Sequence, residues 1–99
     1  MYAQHNVQVP AQIEALGALM ERAARAGYNG LVLDDHKLGL LDLVPDFYFE
    51  HLAEVRRIAA EAGIALYPVS VSCGRDNGVL ASDPNLAATV PVRGAPFVV

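Results

Sequence analysis

Twice in this chain an alanine-rich stretch runs through a glycine into a short apolar segment. The first copy is Arg25-Ala26-Gly27-Tyr28-Asn29-Gly30-Leu31-Val32-Leu33 and the second Glu61-Ala62-Gly63-Ile64-Ala65-Leu66-Tyr67. A helix end calls for a residue in the left-handed region, and glycine has no Cβ to clash there. Helix, glycine, short buried strand and then polar residues, repeated, is the pattern of a parallel α/β fold. In such sheets ligand-binding groups collect at the carboxyl ends of the strands. The residues just after each apolar run are therefore the first candidates for function.

The rest of the pattern fits that scheme. Ile13, Leu16, Met20, Ala23 and Gly27 recur at helical spacing, with Glu14, Glu21, Arg22 and Arg25 off the stripe. Pro10 suits the first turn of that helix. Tyr2 to Val7 is expected as a first strand, although Gln4, His5 and Asn6 weaken it. Leu31-Val32-Leu33 predicts a strand buried on both faces. Leu38 to Val44 reads as an apolar loop, after which Pro45 opens a second helix with Asp46 as its expected N-cap. Tyr48, Leu52, Val55, Ala59 and Ala62 form its inner stripe, and Arg57 with Glu61 an outward i,i+4 pair. Ile64 to Val71 is the expected third strand, and Tyr28 and Tyr67 read as packing residues.

The expected class is α/β, with β-α-β-α-β over 1–78 and an irregular tail over 79–99 that holds two X-Pro turns, at Pro84 and Pro91, and ends on Pro96-Phe97-Val98-Val99. Right-handed crossovers place both helices on one side of three adjacent parallel strands. The other side is then bare, whereas parallel sheets are normally covered on both faces. The expectation is an N-terminal fragment, residues 1–99, of a (β/α)8 TIM barrel whose remainder covers the bare face. A small complete domain that dimerises through that face is the alternative. A dinucleotide fold fits poorly, because Asn6-Val7-Gln8-Val9-Pro10 has no glycine to admit a pyrophosphate. No cofactor is expected.

Composition narrows the partners. Of 99 residues, 54% are hydrophobic and 18% charged, the balance of a globular chain. A net charge of −4 without a basic stripe argues against nucleic acid. No apolar run approaches the roughly 18–20 residues that cross a bilayer, so no membrane partner is expected. Cys73, the single cysteine, excludes an internal disulfide and a cysteine zinc cluster. The start, Met1-Tyr2-Ala3-Gln4-His5-Asn6, has neither the basic nor the apolar region of a signal peptide. An upstream signal fits a truncated start, so the compartment stays open.

With parallel strands, three polar clusters share one edge: Gln4-His5-Asn6, Asp34-Asp35-His36-Lys37 and Ser72-Cys73-Gly74-Arg75-Asp76-Asn77. Asp34 and Asp35 are consecutive, so they point to opposite faces and cannot act as a pair on one bond. One is expected to face the barrel mouth while the other caps the loop. Asp35 is assigned as a substrate hydrogen-bond acceptor, and Lys37 as the group that orients a substrate hydroxyl or neutralises a carboxylate. Arg75 and Asn77, on a glycine-flanked loop, are assigned hydrogen bonds to sugar hydroxyls, although Asn77-Gly78 also makes a plain turn. A metal-dependent hydrolase on His5, Asp35 and His36 falls short in ligand count, so no metal is expected. Cys73 has no base near it in sequence and reads as an inert thiol. No catalytic acid or base is identifiable.

Two longer stretches carry a resemblance. One is Ala24-Arg25-Ala26-Gly27-Tyr28-Asn29-Gly30-Leu31-Val32-Leu33-Asp34-Asp35 with Lys37, Leu38, Val44-Pro45-Asp46 and Tyr48-Phe49. The other is Asn77-Gly78-Val79-Leu80, Asp83-Pro84-Asn85-Leu86-Ala87 and Val90 through Val99. Together they resemble the first third of a group of bacterial proteins with glycoside-hydrolase-like TIM barrels, accompanied by a jelly-roll carbohydrate-binding module. The resemblance implies a carbohydrate ligand, with Asp35, Lys37, Asn77 and Asp83 near the sugar-binding mouth. It also implies hydrolysis by two carboxylates through an oxocarbenium-like transition state. His36 stands where that group more usually has an aromatic, and Ser72 to Asp76 replaces a Gly-Tyr-Ser type of loop. The general acid of such barrels typically follows the fourth strand, beyond Val99, so this chain alone is expected to be inactive. A non-catalytic carbohydrate-binding or structural barrel is the alternative on the same architecture.

Overall fold

The computed structural model describes residues 1–69, 83–86 and 94. Along them run β1 (Tyr2–Gln4), α1 (Pro10–Arg25), β2 (Gly30–Asp34), a 3-10 helix (His36–Gly39), α2 (Asp46–Ala62), β3 (Ala65–Pro68) and a second 3-10 helix (Pro84–Leu86). The three strands form one sheet in the order β1-β2-β3, and both pairings are parallel. The protein is thus α/β, with a three-stranded parallel sheet and two α-helices among the described residues.

The two alanine–glycine repeats end their helices in the same way. After α1, Tyr28 N–H donates to the Ala23 carbonyl and Gly27 N–H to that of Ala24, at 3.0 and 3.1 Å. After α2, Ile64 N–H donates to Ala59 and Gly63 N–H to Ala60, at 2.9 and 3.2 Å. Each is a Schellman closure, satisfying carbonyls that the helix itself leaves open. It needs a left-handed residue, and Gly27 and Gly63 take φ of 92° and 71°. Each closure turns the chain back along the sheet for the next strand.

One face of the sheet and the inner stripes of both helices make a single core. Ala3, Leu31 and Leu33 meet Ile13, Leu16, Met20 and Ala23 of α1 and Tyr48, Val55 and Ala59 of α2. The helices approach closely where α1 has no side chain: a Cβ on Gly17 would lie 3.4 Å from Ile58 Cγ2. Fully burying aliphatic and aromatic side chains of this kind stabilises by about 1.5–3 kcal/mol each.

Several expectations need correction. Leu31 and Leu33 are buried, but Val32 is only half-buried, so β2 is not covered on both faces. Val32 lies in register with Tyr2 on one side and Tyr67 on the other. That row belongs to the face away from the helices, which explains why Tyr67 is 58% exposed rather than packed. Tyr28 is 53% exposed, because the Schellman closure carries it off the helix end. Asp46 is the first residue of α2 rather than its cap; Pro45 holds the cap position in an extended conformation, without a side-chain bond. Leu52 and Ala62 are half-buried flanks of the α2 stripe. The pairing of Arg57 with Glu61 occurs as expected, and Glu54 joins it from the other side. β1 and β3 are each shorter than expected, and the continuation of β3 at 70–71 lies outside the described residues.

Candidate functional site

Parallel pairing brings the carboxyl ends of β1 and β2 side by side. The ladder runs one bond past the strand, His5 N–H donating to the Asp34 carbonyl at 3.1 Å. Beyond it a cleft of about 270 Å³ is lined by Gln4, His5, Asn6, Asp34, Asp35, His36 and Lys37. Two of the three polar clusters expected at this edge thus share one concavity. A larger cavity of about 310 Å³ opens between α2 and β3, but its walls are apolar apart from Arg56. It offers no convergent polar groups, so the smaller cleft is the candidate site.

Asp35 is the centre of this edge. It is 4% exposed and its carboxylate accepts three hydrogen bonds. Oδ2 takes Val7 N–H at 2.7 Å; Oδ1 takes Lys37 N–H at 3.1 Å and Lys37 Nζ at 2.9 Å. Burial pushes its pKa upward most strongly, but the Lys37 side chain, the two backbone donors and the lysine charge together outweigh it, and the net value falls below the ordinary 3.8. Asp35 also caps the 3-10 helix that follows, fixing the direction in which Lys37 leaves the chain. Its oxygens are already engaged by these donors, while Asp35 still lines the cleft in which a substrate acceptor is expected. Both line the cleft, and Lys37 is the more open of the two, its side chain 18% exposed against 2% for Asp35. An ammonium carries three donors and Asp35 uses one.

Asp34 points the opposite way, as the alternation of a strand requires. It belongs to the face away from the helices, where the Tyr2 hydroxyl donates to its Oδ2. The β1 loop holds two further polar groups in set directions. His5 Nδ1 lies 3.0 Å from the Gln12 side-chain amide, which sets the ring and leaves Nε2 for other partners. Asn6 Oδ1 accepts from Gln8 N–H at 3.1 Å, which leaves its amide nitrogen as a donor.

Three residues at this edge were not singled out as site residues from the sequence. Val7 gives its N–H to Asp35 and its carbonyl to His51 Nδ1, 2.7 Å away. Tyr48 is buried below them and its hydroxyl has no hydrogen-bond partner among the described residues. Burial first, and the Asp35 carboxylate second, push that hydroxyl well above the usual tyrosine range. The available signal was the spacing Tyr48, His51, Leu52, Val55, which puts His51 on the edge of the inner stripe of α2.

The remaining candidates fall elsewhere. Arg75 and Asn77, like Cys73 and the rest of the third cluster, lie outside the described residues. Asp83 is exposed and does not line the cleft; its Oδ1 accepts from the backbone N–H and side-chain amide of Asn85, both at 3.0 Å. Among the described residues no group of three His, Cys, Asp or Glu side chains is placed to hold a metal ion, so His5, Asp35 and His36 do not form the centre considered above. No described helix is long and apolar enough to cross a membrane. Comparison with known proteins brings no match, whether to a family model, a curated protein or a solved structure.

Proposed function

We propose that the cleft at the ends of β1 and β2 binds carbohydrate hydroxyls, as one subsite of a glycoside-hydrolase-like (β/α) barrel. The observation that carries this reading is the meeting of Lys37, Asn6 and His5 in one concavity, each with its direction fixed by a second residue. A sugar hydroxyl both donates and accepts. Lys37 Nζ and the Asn6 amide supply donors, and the His5 ring offers Nε2 beside them. Asp35 balances the charge of Lys37, so the lysine presents directed N–H groups without attracting anions in general. Three parallel strands with helices on one face are compatible with the opening units of such a barrel.

Within this reading the described cleft binds and does not hydrolyse. Asp35 is committed to three donors and Asp34 accepts the Tyr2 hydroxyl, so neither is poised as a free acid with the other as base. That favours a binding subsite, with hydrolytic carboxylates supplied by later strand ends of a longer barrel. Further strand–helix units would also cover the face that carries Tyr2, Val32 and Tyr67.

Titration of the full chain with neutral gluco-, xylo-, galacto- and manno-oligosaccharides tests this by calorimetry. At least one series should bind, and Lys37→Met should weaken it about tenfold or more, the worth of a charge-assisted hydrogen bond. Aryl glycosides should not be cleaved. A folded chain that binds none of the four series refutes the reading.

A further inference from the structure

The two walls of the cleft come from different β-α units, and one buried residue ties them together. Val7 is 1% exposed, and both of its backbone polar groups are taken by other elements. Its N–H goes to Asp35 after β2, and its carbonyl receives His51 Nδ1 from α2. A carbonyl only accepts, so His51 Nδ1 must carry a proton. The imidazole is steadied by Phe47, one turn earlier, whose ring centroid lies 5.3 Å away at an interplanar angle of 57°.

We infer that His51 is a positioning residue for the cleft: by donating to the Val7 carbonyl it sets where His5 and Asn6 stand relative to Lys37. The β1 loop has no glycine and no regular pairing of its own from Asn6 to Val9 beyond a turn, so its path depends on what grips it. Asp35 grips it from the β2 side and His51 from the α2 side. His51 does not line the cleft, so it acts through Val7 and not on a ligand. The role in ligand binding rests on the carbohydrate reading; the role in fixing the loop does not.

The test needs one measurement on the unaltered chain and two variants. Nitrogen-15 shifts of His51 should show Nδ1 protonated; an imidazole protonated only at Nε2 overturns the inference without any substitution. His51→Leu removes the donor, whereas His51→Asn returns an amide nitrogen to the place of Nδ1, one bond from Cγ. In folded protein His51→Leu should speed exchange of the Val7 amide about tenfold, shift the His5 and Asn6 resonances, and weaken saccharide binding by a similar factor. His51→Asn should restore most of each. Unchanged Val7 exchange in His51→Leu, or a loss that His51→Asn does not restore, contradicts the assignment. If the unaltered chain binds no saccharide, the carbohydrate reading fails while the exchange and tautomer results still decide the role of His51.

Discussion

Replacing Asp35 by alanine should be among the most damaging single changes at the polar edge of this molecule. The carboxylate is buried and accepts from Val7 N–H, Lys37 N–H and Lys37 Nζ. Hydrogen bonds to a charged group contribute about 1.5–3 kcal/mol each, and three at the lower figure give roughly 4–5 kcal/mol. The sum overstates the loss, because Lys37 is partly exposed and can recover hydration for its ammonium. Val7 N–H is buried and cannot. The expected cost is therefore about 3–4 kcal/mol, within the range seen when one partner of a buried pair is removed. Asp35→Asn keeps one acceptor oxygen and should lose roughly half as much. Urea denaturation followed by circular dichroism measures both. With a slope of about 1 kcal/mol/M for a domain of this size, Asp35→Ala should lower the midpoint by roughly 3 M with little change in slope. A loss below about 1 kcal/mol would mean that Asp35 is a solvated loop residue, and the account of the polar edge would be wrong.

Three further expectations follow from the same contacts. The pKa of Asp35 is depressed, so its contribution to stability is complete above the ordinary value of 3.8 and is lost as pH falls through the lower folded value. Acid titration of stability should show that loss in the unaltered chain, and Asp35→Asn should remove it. Tyr48→Phe deletes a buried hydroxyl that has no hydrogen-bond partner among the described residues and should leave the urea midpoint unchanged or raise it; a drop worth about 1.5 kcal/mol would instead reveal a bond to Asp35. Gly63→Ala should cost about 1 kcal/mol in the same assay, through backbone strain alone. Its φ is 71° and an added Cβ would meet nothing within 4 Å.

The parts of the fold that could be read from the sequence are those set by local rules. Gly27 and Gly63 each follow an alanine-rich stripe, and one backbone conformation suits both, so helix ends and strand starts were legible. The alternation of Asp34 and Asp35 was legible too, because a strand offers two faces only. What escaped depends on long-range partners. Asp35 became an internal anchor because Val7, distant in sequence, supplies a donor at 2.7 Å. His51 joined the site through a backbone carbonyl 44 residues away, a partner that its place on the edge of the α2 stripe does not identify. Tyr67 carried the composition of a core residue, but its register beside Val32 put it on the face without helices. Asp46 has the chemistry of an N-cap and sits one residue too late for it, since Pro45 already holds the extended conformation. The convergence of the first two polar clusters followed from parallel pairing, whereas the partition of roles within them did not. Lys37 meets the cleft because Asp35 holds it there.

The most direct test is a backbone and histidine shift map of the full chain during titration with whichever neutral oligosaccharide binds best. Residues on both walls, His5 and Asn6 on one and His36 and Lys37 on the other, should move together along a single binding curve. Shifts confined to one wall, or to the helices, would contradict a shared saccharide site at the ends of β1 and β2.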